Sequence, residues 1–198
     1  MSAPTDIWYG AHVADDTELR LCGDLVGKRV IELGVGSTSN AVALAAAGAR
    51  AIAVDPSGES IAMVRAAAES AEVTVQCHHC DLADLGFATS ASVDLVVSSH
   101  SLGDVDDVPR LLRQVHRVLK PGAAFIIAMR HPVAAMFEAN DPIPRRAYGI
   151  IGMTFSDLHM ALERTNFHAD AVFELNDRRI REPLSPAVLV IRARKQGV

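Results

Sequence analysis

Two glycines, Gly34 and Gly36, follow an apolar run, Arg29–Leu33, and precede an alanine-rich stretch, Asn40–Ala47. A strand that ends in a glycine turn and enters a helix lets the backbone bend sharply and approach a ligand closely. In an open α/β sheet such ligands sit beyond the carboxyl ends of the strands. Asp55 closes the next apolar run, Ala51–Val54, nineteen residues beyond Gly36. An acidic residue there can accept both hydroxyl protons of a ribose, a charge-assisted bidentate contact. Alone, the glycines read as a tight turn and Asp55 as the start of a turn before Pro56. Jointly, at this spacing, they point to an adenosine-containing cofactor. Asp81, in Cys80-Asp81-Leu82, follows the third run and reaches the same rim. It can accept from the amine edge of an adenine, with Leu82 facing the ring, or it can simply serve a turn.

Histidine is the usual base at neutral pH, and His100 and His131 follow the fourth and fifth apolar runs. For each, the plainer reading is a loop residue bonded to backbone. Cys77-His78-His79-Cys80 has metal-ligand residue types but no second ligand pair at finger spacing. It also overlaps a strand end, where alternate side chains point to opposite faces, so no metal is expected.

These residues need elements to hold them. Strands are expected at Arg29–Leu33, Ala51–Val54, Val73–Cys77, Val93–Ser98 and Ala124–Met129. Helices are expected between them: Asn40–Ala47 ending at Gly48, one capped by Ser57 or Ser60 that buries Ile61, Val64, Ala68 and Ala71, and Val108–Leu119 ending at Pro121-Gly122. Near the start, Asp15 or Asp16 can cap a short helix through Leu19, Cys22 and Leu25. The strands are continuous apolar runs, as expected when helices cover both sheet faces. That predicts a Rossmann-like, doubly wound parallel sheet with right-handed crossovers. His131–Gly152 shows no clear period and reads as a loop or short lid. Ser156 can cap a last helix through Leu158, Ala161, Leu162 and Thr165. His168–Leu175 and Ala187–Arg194 then read as two strands with no helix between them, which pair antiparallel.

The 198-residue chain suits a single domain with a sizeable core, 49% hydrophobic and 22% charged. Its net charge of −5 argues against a nucleic-acid partner, which would select a basic face. Three cysteines give no disulfide framework and fit a reducing cytoplasm. No apolar run approaches the roughly 20 residues that cross a bilayer, and residues 1–10 lack the pattern of a signal peptide.

The set ELGVGST, AVDPS, CDL, VDLVVSSHSL and LLRQVHRVLKPGAAFIIA resembles the class I S-adenosylmethionine-dependent methyltransferases over Lys28–Met129. MALERTNFHADAVFEL resembles that family's final helix and sixth strand. The resemblance implies a mostly parallel seven-stranded α/β sheet with an antiparallel C-terminal hairpin strand. It divides one domain into a cap region (1–27), a cofactor-binding core (28–130), a short substrate or lid segment (131–155) and a final helix with strand hairpin (156–198). It implies S-adenosylmethionine as cofactor, S-adenosylhomocysteine as product, and a small-molecule acceptor. Glu32 would hold the glycine loop near the amino-acid end of the cofactor, and Gly34 and Gly36 would line its methionine moiety. Asp55, with Pro56 beside it, would hold the ribose, and Asp81 and Leu82 would frame the adenine. Ser98, Ser99 and His100 would edge the cofactor and the substrate entry, and Tyr9-Gly10 would close over the cofactor. The family's strand order makes the fourth and fifth strands neighbours, which would bring His100 and His131 to the reactive methyl. Arg145, Arg146 and Tyr148 lie where relatives place substrate recognition; either arginine would suit a carboxylate or phosphate.

One departure is Thr38, where the family's loop often carries a third glycine. It either narrows the loop or adds a hydroxyl contact. A nicotinamide dehydrogenase is the enzyme alternative, but its Gly-x-Gly-x-x-Gly would need glycine at Ser39. A non-catalytic binding protein on the same fold is the other alternative. The acceptor's identity and a monomeric or homodimeric state are left open.

Overall fold

A computed structural model describes residues 6–36, 38–138 and 141–197. Seven strands form one sheet in the order β3-β2-β1-β4-β5-β7-β6. They are β1 (Arg29–Leu33), β2 (Arg50–Asp55), β3 (Val75–His79), β4 (Val93–Ser99), β5 (Leu119–Arg130), β6 (Phe167–Leu175) and β7 (Val188–Lys195). Among the described residues, five α-helices accompany them: α1 (Asp16–Leu19), α2 (Asn40–Ala46), α3 (Gly58–Ser70), α4 (Val108–Val118) and α5 (Phe155–Arg164). The first five strands pair in parallel, and β7 inserts antiparallel between β5 and β6.

The continuous apolar runs follow from two cores, one on each sheet face. Ile31, Leu33, Val96, Phe125 and Ile127 meet Leu111, Leu112 and Val115 of α4 and Leu158 and Leu162 of α5. The intervening positions Val30, Leu95, Val97, Ile126 and Ala128 meet Ala41–Leu44 of α2 and Val64 and Ala68 of α3, with Tyr9, Leu21 and Leu25 of the N-terminal segment. Alternation with period two thus reads as uninterrupted hydrophobicity, because both faces are covered.

Some boundaries differ from the sequence expectation. α1 lasts one turn: Arg20 takes a left-handed backbone (φ 52°), and the Asp16 carboxylate accepts the Leu21 N–H at 2.6 Å, turning the chain out of the helix. Pro121-Gly122 does not separate helix from strand. β5 begins at Leu119 and carries these residues as an irregularity between the Val93–Leu119 and Leu95–Ala124 pairs. β3 starts two residues later than expected, at Val75. α5 is capped by Thr154, not Ser156, through a reciprocal capping box with Asp157. No helix among the described residues is long and apolar enough to cross a membrane.

Candidate active site

β1 hands the chain to α2 through the glycine bend. Gly34 has φ +73°, and a Cβ there would fall 2.1 Å from the Ser101 Cβ, so only glycine fits. Ser101 is held in that place by its hydroxyl, which donates to the Leu33 carbonyl and meets the Ser98 hydroxyl at 2.8 Å. On the far side, buried Glu32 accepts the Asn40 N–H at 2.7 Å, the Ala41 N–H at 2.8 Å and the Ser39 hydroxyl at 3.1 Å. It satisfies the open N–H groups at the start of α2, which Ser39 itself does not cap. Burial pushes the Glu32 carboxyl up to about 7, against the pull of these donors.

Asp55 closes β2 and is 6% exposed. One carboxylate oxygen accepts the Val35 N–H at 2.6 Å and the other the Ser57 N–H at 2.7 Å, tying the glycine bend to the next loop. A carboxylate has about four lone-pair sites, so each oxygen keeps one for a ligand hydroxyl. Beyond β3, exposed Asp81 uses one oxygen to accept the Ala83 N–H at 2.8 Å, while Leu82 and Ala83 form a buried apolar floor. Gly34, Gly36, Asp55, Pro56, Asp81, Leu82, Ser99 and His100 all line one cleft of about 490 Å³, within the usual range for small-molecule sites. Arg110, Asp106 and Asp107 at the start of α4 complete its outer wall. The sequence reading singled out none of the three; in the structure Asp107 caps α4 by accepting the Arg110 N–H.

His100 has a left-handed backbone (φ 64°). Its Nε2–H donates to the Tyr9 carbonyl at 2.8 Å, which leaves Nδ1 as the lone-pair nitrogen. The N-terminal segment is fastened beside it: Asn40 accepts the Trp8 N–H at 2.7 Å, and the Asn40 amide and Ser99 hydroxyl both donate to the Trp8 carbonyl. Tyr9 faces away from the cleft. Its ring is fully buried and its hydroxyl donates to Asp16 at 2.6 Å; burial drives the phenol's pKa far up. Trp8 instead stands beside the glycine bend, its ring 3.5 Å from where a Gly36 Cβ would lie. No signal in the sequence announces the hydrogen bonds of Asn40 to Trp8, which join the N-terminal segment to α2 beside the expected Tyr9-Gly10.

Other expected residues lie outside the cleft. Ser98 and Glu32 support the bend from behind it. His131 is 6% exposed, with both ring nitrogens engaged: Nδ1 accepts the Val133 N–H at 3.2 Å and Nε2 meets Glu174 at 2.9 Å. Although β4 and β5 are neighbours, His131 therefore turns toward β6 and does not join His100. Arg145 pairs with Asp141 at 2.6 Å, Arg146 with Glu138 at 2.9 Å, and the Tyr148 hydroxyl accepts the Phe155 N–H at 3.3 Å. These contacts knit the 131–155 segment to itself and to the start of α5.

Residues 31–127 match the family described as methyltransferase domain. A crystal structure of an S-adenosylmethionine-dependent methyltransferase from Mesorhizobium loti is 25% identical, with a TM-score of 0.75 over 89% of this chain and 95% of that one. The chain belongs to the class I S-adenosylmethionine-dependent methyltransferases. It is 32% identical over 108 residues to the ubiquinone/menaquinone biosynthesis C-methyltransferase UbiE of Rubrivivax gelatinosus, covering 54% of this chain and 41% of that protein. It is 28% identical over 114 residues to the ubiquinone biosynthesis O-methyltransferase of Xanthomonas oryzae, covering 58% and 48%. The chain thus spans less than half the length of these two curated relatives. S-adenosylmethionine is this methyltransferase family's cofactor, and the cleft suits it: spare lone pairs on Asp55, a bend with no Cβ at Gly34, and an apolar floor at Leu82.

Proposed function

We propose that the chain transfers the methyl group of S-adenosylmethionine to a small-molecule acceptor that approaches over Ser99 and His100. The observation that carries this reading is the order of groups along the cleft. Asp81 follows β3, Asp55 ends β2, Gly34 and Gly36 follow β1, and Ser99 and His100 close β4, with these four strands adjacent in that sequence. Adenine, ribose and the sulfur-bearing chain of the donor are joined in the same order. With adenine at Asp81 and Leu82 and ribose hydroxyls on Asp55, the sulfur end points toward the bend and His100.

The bound donor supplies a methyl group already activated on a sulfonium, so the protein's share is alignment and exclusion of water. Alignment of this kind contributes up to about 7–11 kcal/mol in favourable cases. The glycine bend and Asp55 would fix the donor, and Ser99 and His100 would border the acceptor's path. Where the acceptor must lose a proton, the His100 Nδ1 lone pair takes it, with the ring held by the Tyr9 carbonyl. The names of the two curated relatives describe one C- and one O-methyltransferase of quinone biosynthesis, which supports a small-molecule acceptor without choosing the atom methylated.

Calorimetry with S-adenosylmethionine and S-adenosylhomocysteine tests the reading. Saturable heat with both ligands, lost in Asp55→Ala, is expected. No heat with either ligand would overturn it.

A further inference from the structure

A second cavity lies along the same rim, between the 131–155 segment and the loop that joins β6 to β7. Its volume is about 720 Å³, within the range of small-molecule sites. Phe137 and Pro142 line it from the first of these, and Ile180, Pro183 and Leu184 from the second. Ile180 is 52% exposed and Leu184 69%, so covering them with hydrocarbon would remove apolar surface from water. The charged groups of the lining are set against one another. Arg179 donates to both carboxylate oxygens of Asp177, while Asp141 holds Arg145 and Glu138 holds Arg146. The Arg130 guanidinium is turned to the Ala134 and Phe137 carbonyls. Two cations, Arg130 and Arg179, thus share the lining with four carboxylates, those of Glu138, Asp141, Asp177 and Glu182. A carboxylate or phosphate entering here would meet more repulsion than attraction.

This cavity adjoins the end of the cleft where His100 stands. The His100 N–H donates to the Ala128 carbonyl of β5 at 2.7 Å, and Arg130, two residues on, pairs with Val188 at the start of β7. The parts converge at Gly10: a Cβ there would lie 2.7 Å from the Val188 Cγ2 and 3.2 Å from the His100 Nε2. Ala187 and Arg130, the chain neighbour and the strand partner of Val188, both line the cavity. In the sheet β7 is two strands from β4, and neighbouring strands lie about 4.8 Å apart, which puts the cavity roughly 10 Å from His100.

We propose that this cavity takes the uncharged, apolar body of the methyl acceptor, whose reacting end extends over Val188 and Gly10 to His100. The inference rests on the function proposed above and deepens it. Burial of hydrocarbon against Phe137, Ile180 and Leu184 supplies the affinity, and no ion pair is required. Arg145 and Arg146 then act on the acceptor only indirectly, by neutralising Asp141 and Glu138 in the wall.

The test needs no knowledge of the acceptor. In the probes, a tertiary nitrogen replaces the sulfur of S-adenosylhomocysteine and carries an n-alkyl chain, methyl to decyl, where the donor carries its methyl group. Once the chain is long enough to reach the cavity, affinity read by calorimetry is expected to rise about fourfold per methylene. A chain of equal length ending in a carboxylate should bind more weakly. Replacing Ile180 and Leu184 together by Ser, at positions more than half exposed, should cut the gain to below about twofold per methylene. Ala134→Phe, which fills the cavity from the other side, should do the same. An affinity that does not rise with chain length, a gain that survives in both variants, or tighter binding of the carboxylate would overturn the proposal and leave the cofactor reading standing. Failure of the unsubstituted protein to bind S-adenosylmethionine, S-adenosylhomocysteine and the methyl probe would instead overturn that underlying reading.

Discussion

Two stretches of the same sheet rim treat their polar groups differently. From β3 to β4 the rim residues keep bonding capacity in reserve. Asp55 uses one lone pair on each oxygen, Asp81 uses one oxygen, and His100 uses one nitrogen. Beyond β5 the polar groups are committed to one another: His131 with Glu174 and Val133, Arg145 with Asp141, Arg146 with Glu138. The first arrangement costs some stability and leaves a place for a ligand. The second stiffens the connection between β5 and α5, which includes a short 3-10 helix, Ala134–Met136. Residue type alone does not separate them, because both stretches hold histidines and charged groups; spare lone pairs do.

The two histidines should differ most. Where the acceptor must be deprotonated, His100→Ala should lower turnover by about 10²–10⁴-fold and cofactor affinity far less. His131→Ala should leave turnover nearly intact and reduce thermal stability. Equal loss of turnover in both variants would remove the distinction. At Asp55, the Asn variant turns an amide toward the Val35 or Ser57 N–H and halves the acceptor capacity. A fall of about 10- to 100-fold in S-adenosylmethionine affinity is expected, from the loss of charge-assisted hydrogen bonds worth about 1.5–3 kcal/mol.

Glu32 supports the ligand side of the rim from beneath the bend. Its carboxyl rises from 4.5 to about 7 on folding, so between those values the folded protein holds a proton that the unfolded chain has released. That stability is present below about 4.5 and is lost as pH rises to about 7, roughly 3 kcal/mol across the window. Glu32→Gln should remove this pH dependence while destabilising the start of α2, because an amide cannot accept from both backbone N–H groups at separate oxygens. Chemical denaturation of both proteins at pH 5 and pH 7.5 checks the sign. The smallest effect is expected on the far side: Arg145→Ala, at an exposed pair, should change stability by less than about 1 kcal/mol and leave cofactor affinity unchanged.

Much of the framework was legible because its signals are local. Glycine after an apolar run, a carboxylate at the next strand end and a strongly amphipathic helix such as Val108–Val118 each act within a few residues of themselves. They located β1, β2, α4 and the cleft lined by Gly34, Gly36, Asp55, Asp81 and Leu82. The alternating burial that faces one strand to two cores, with no break in hydrophobicity, announced the covered sheet in the same way.

What the sequence did not disclose depends on partners distant along the chain. The path of the Trp8-Tyr9 backbone, which buries the Tyr9 ring away from the cleft, is decided by Asn40, 32 residues away, and by Ser99 and His100, each 91 residues from its partner. Whether His131 faces the cleft or the sheet edge is decided by Glu174, brought near by the antiparallel insertion of β7 between β5 and β6. An irregular segment has no periodicity to orient its side chains. Backbone propensity and hydrophobic pattern therefore determined which elements form and where the cleft opens. Only the closing of long-range hydrogen bonds in the tertiary structure chose which side chains look into it.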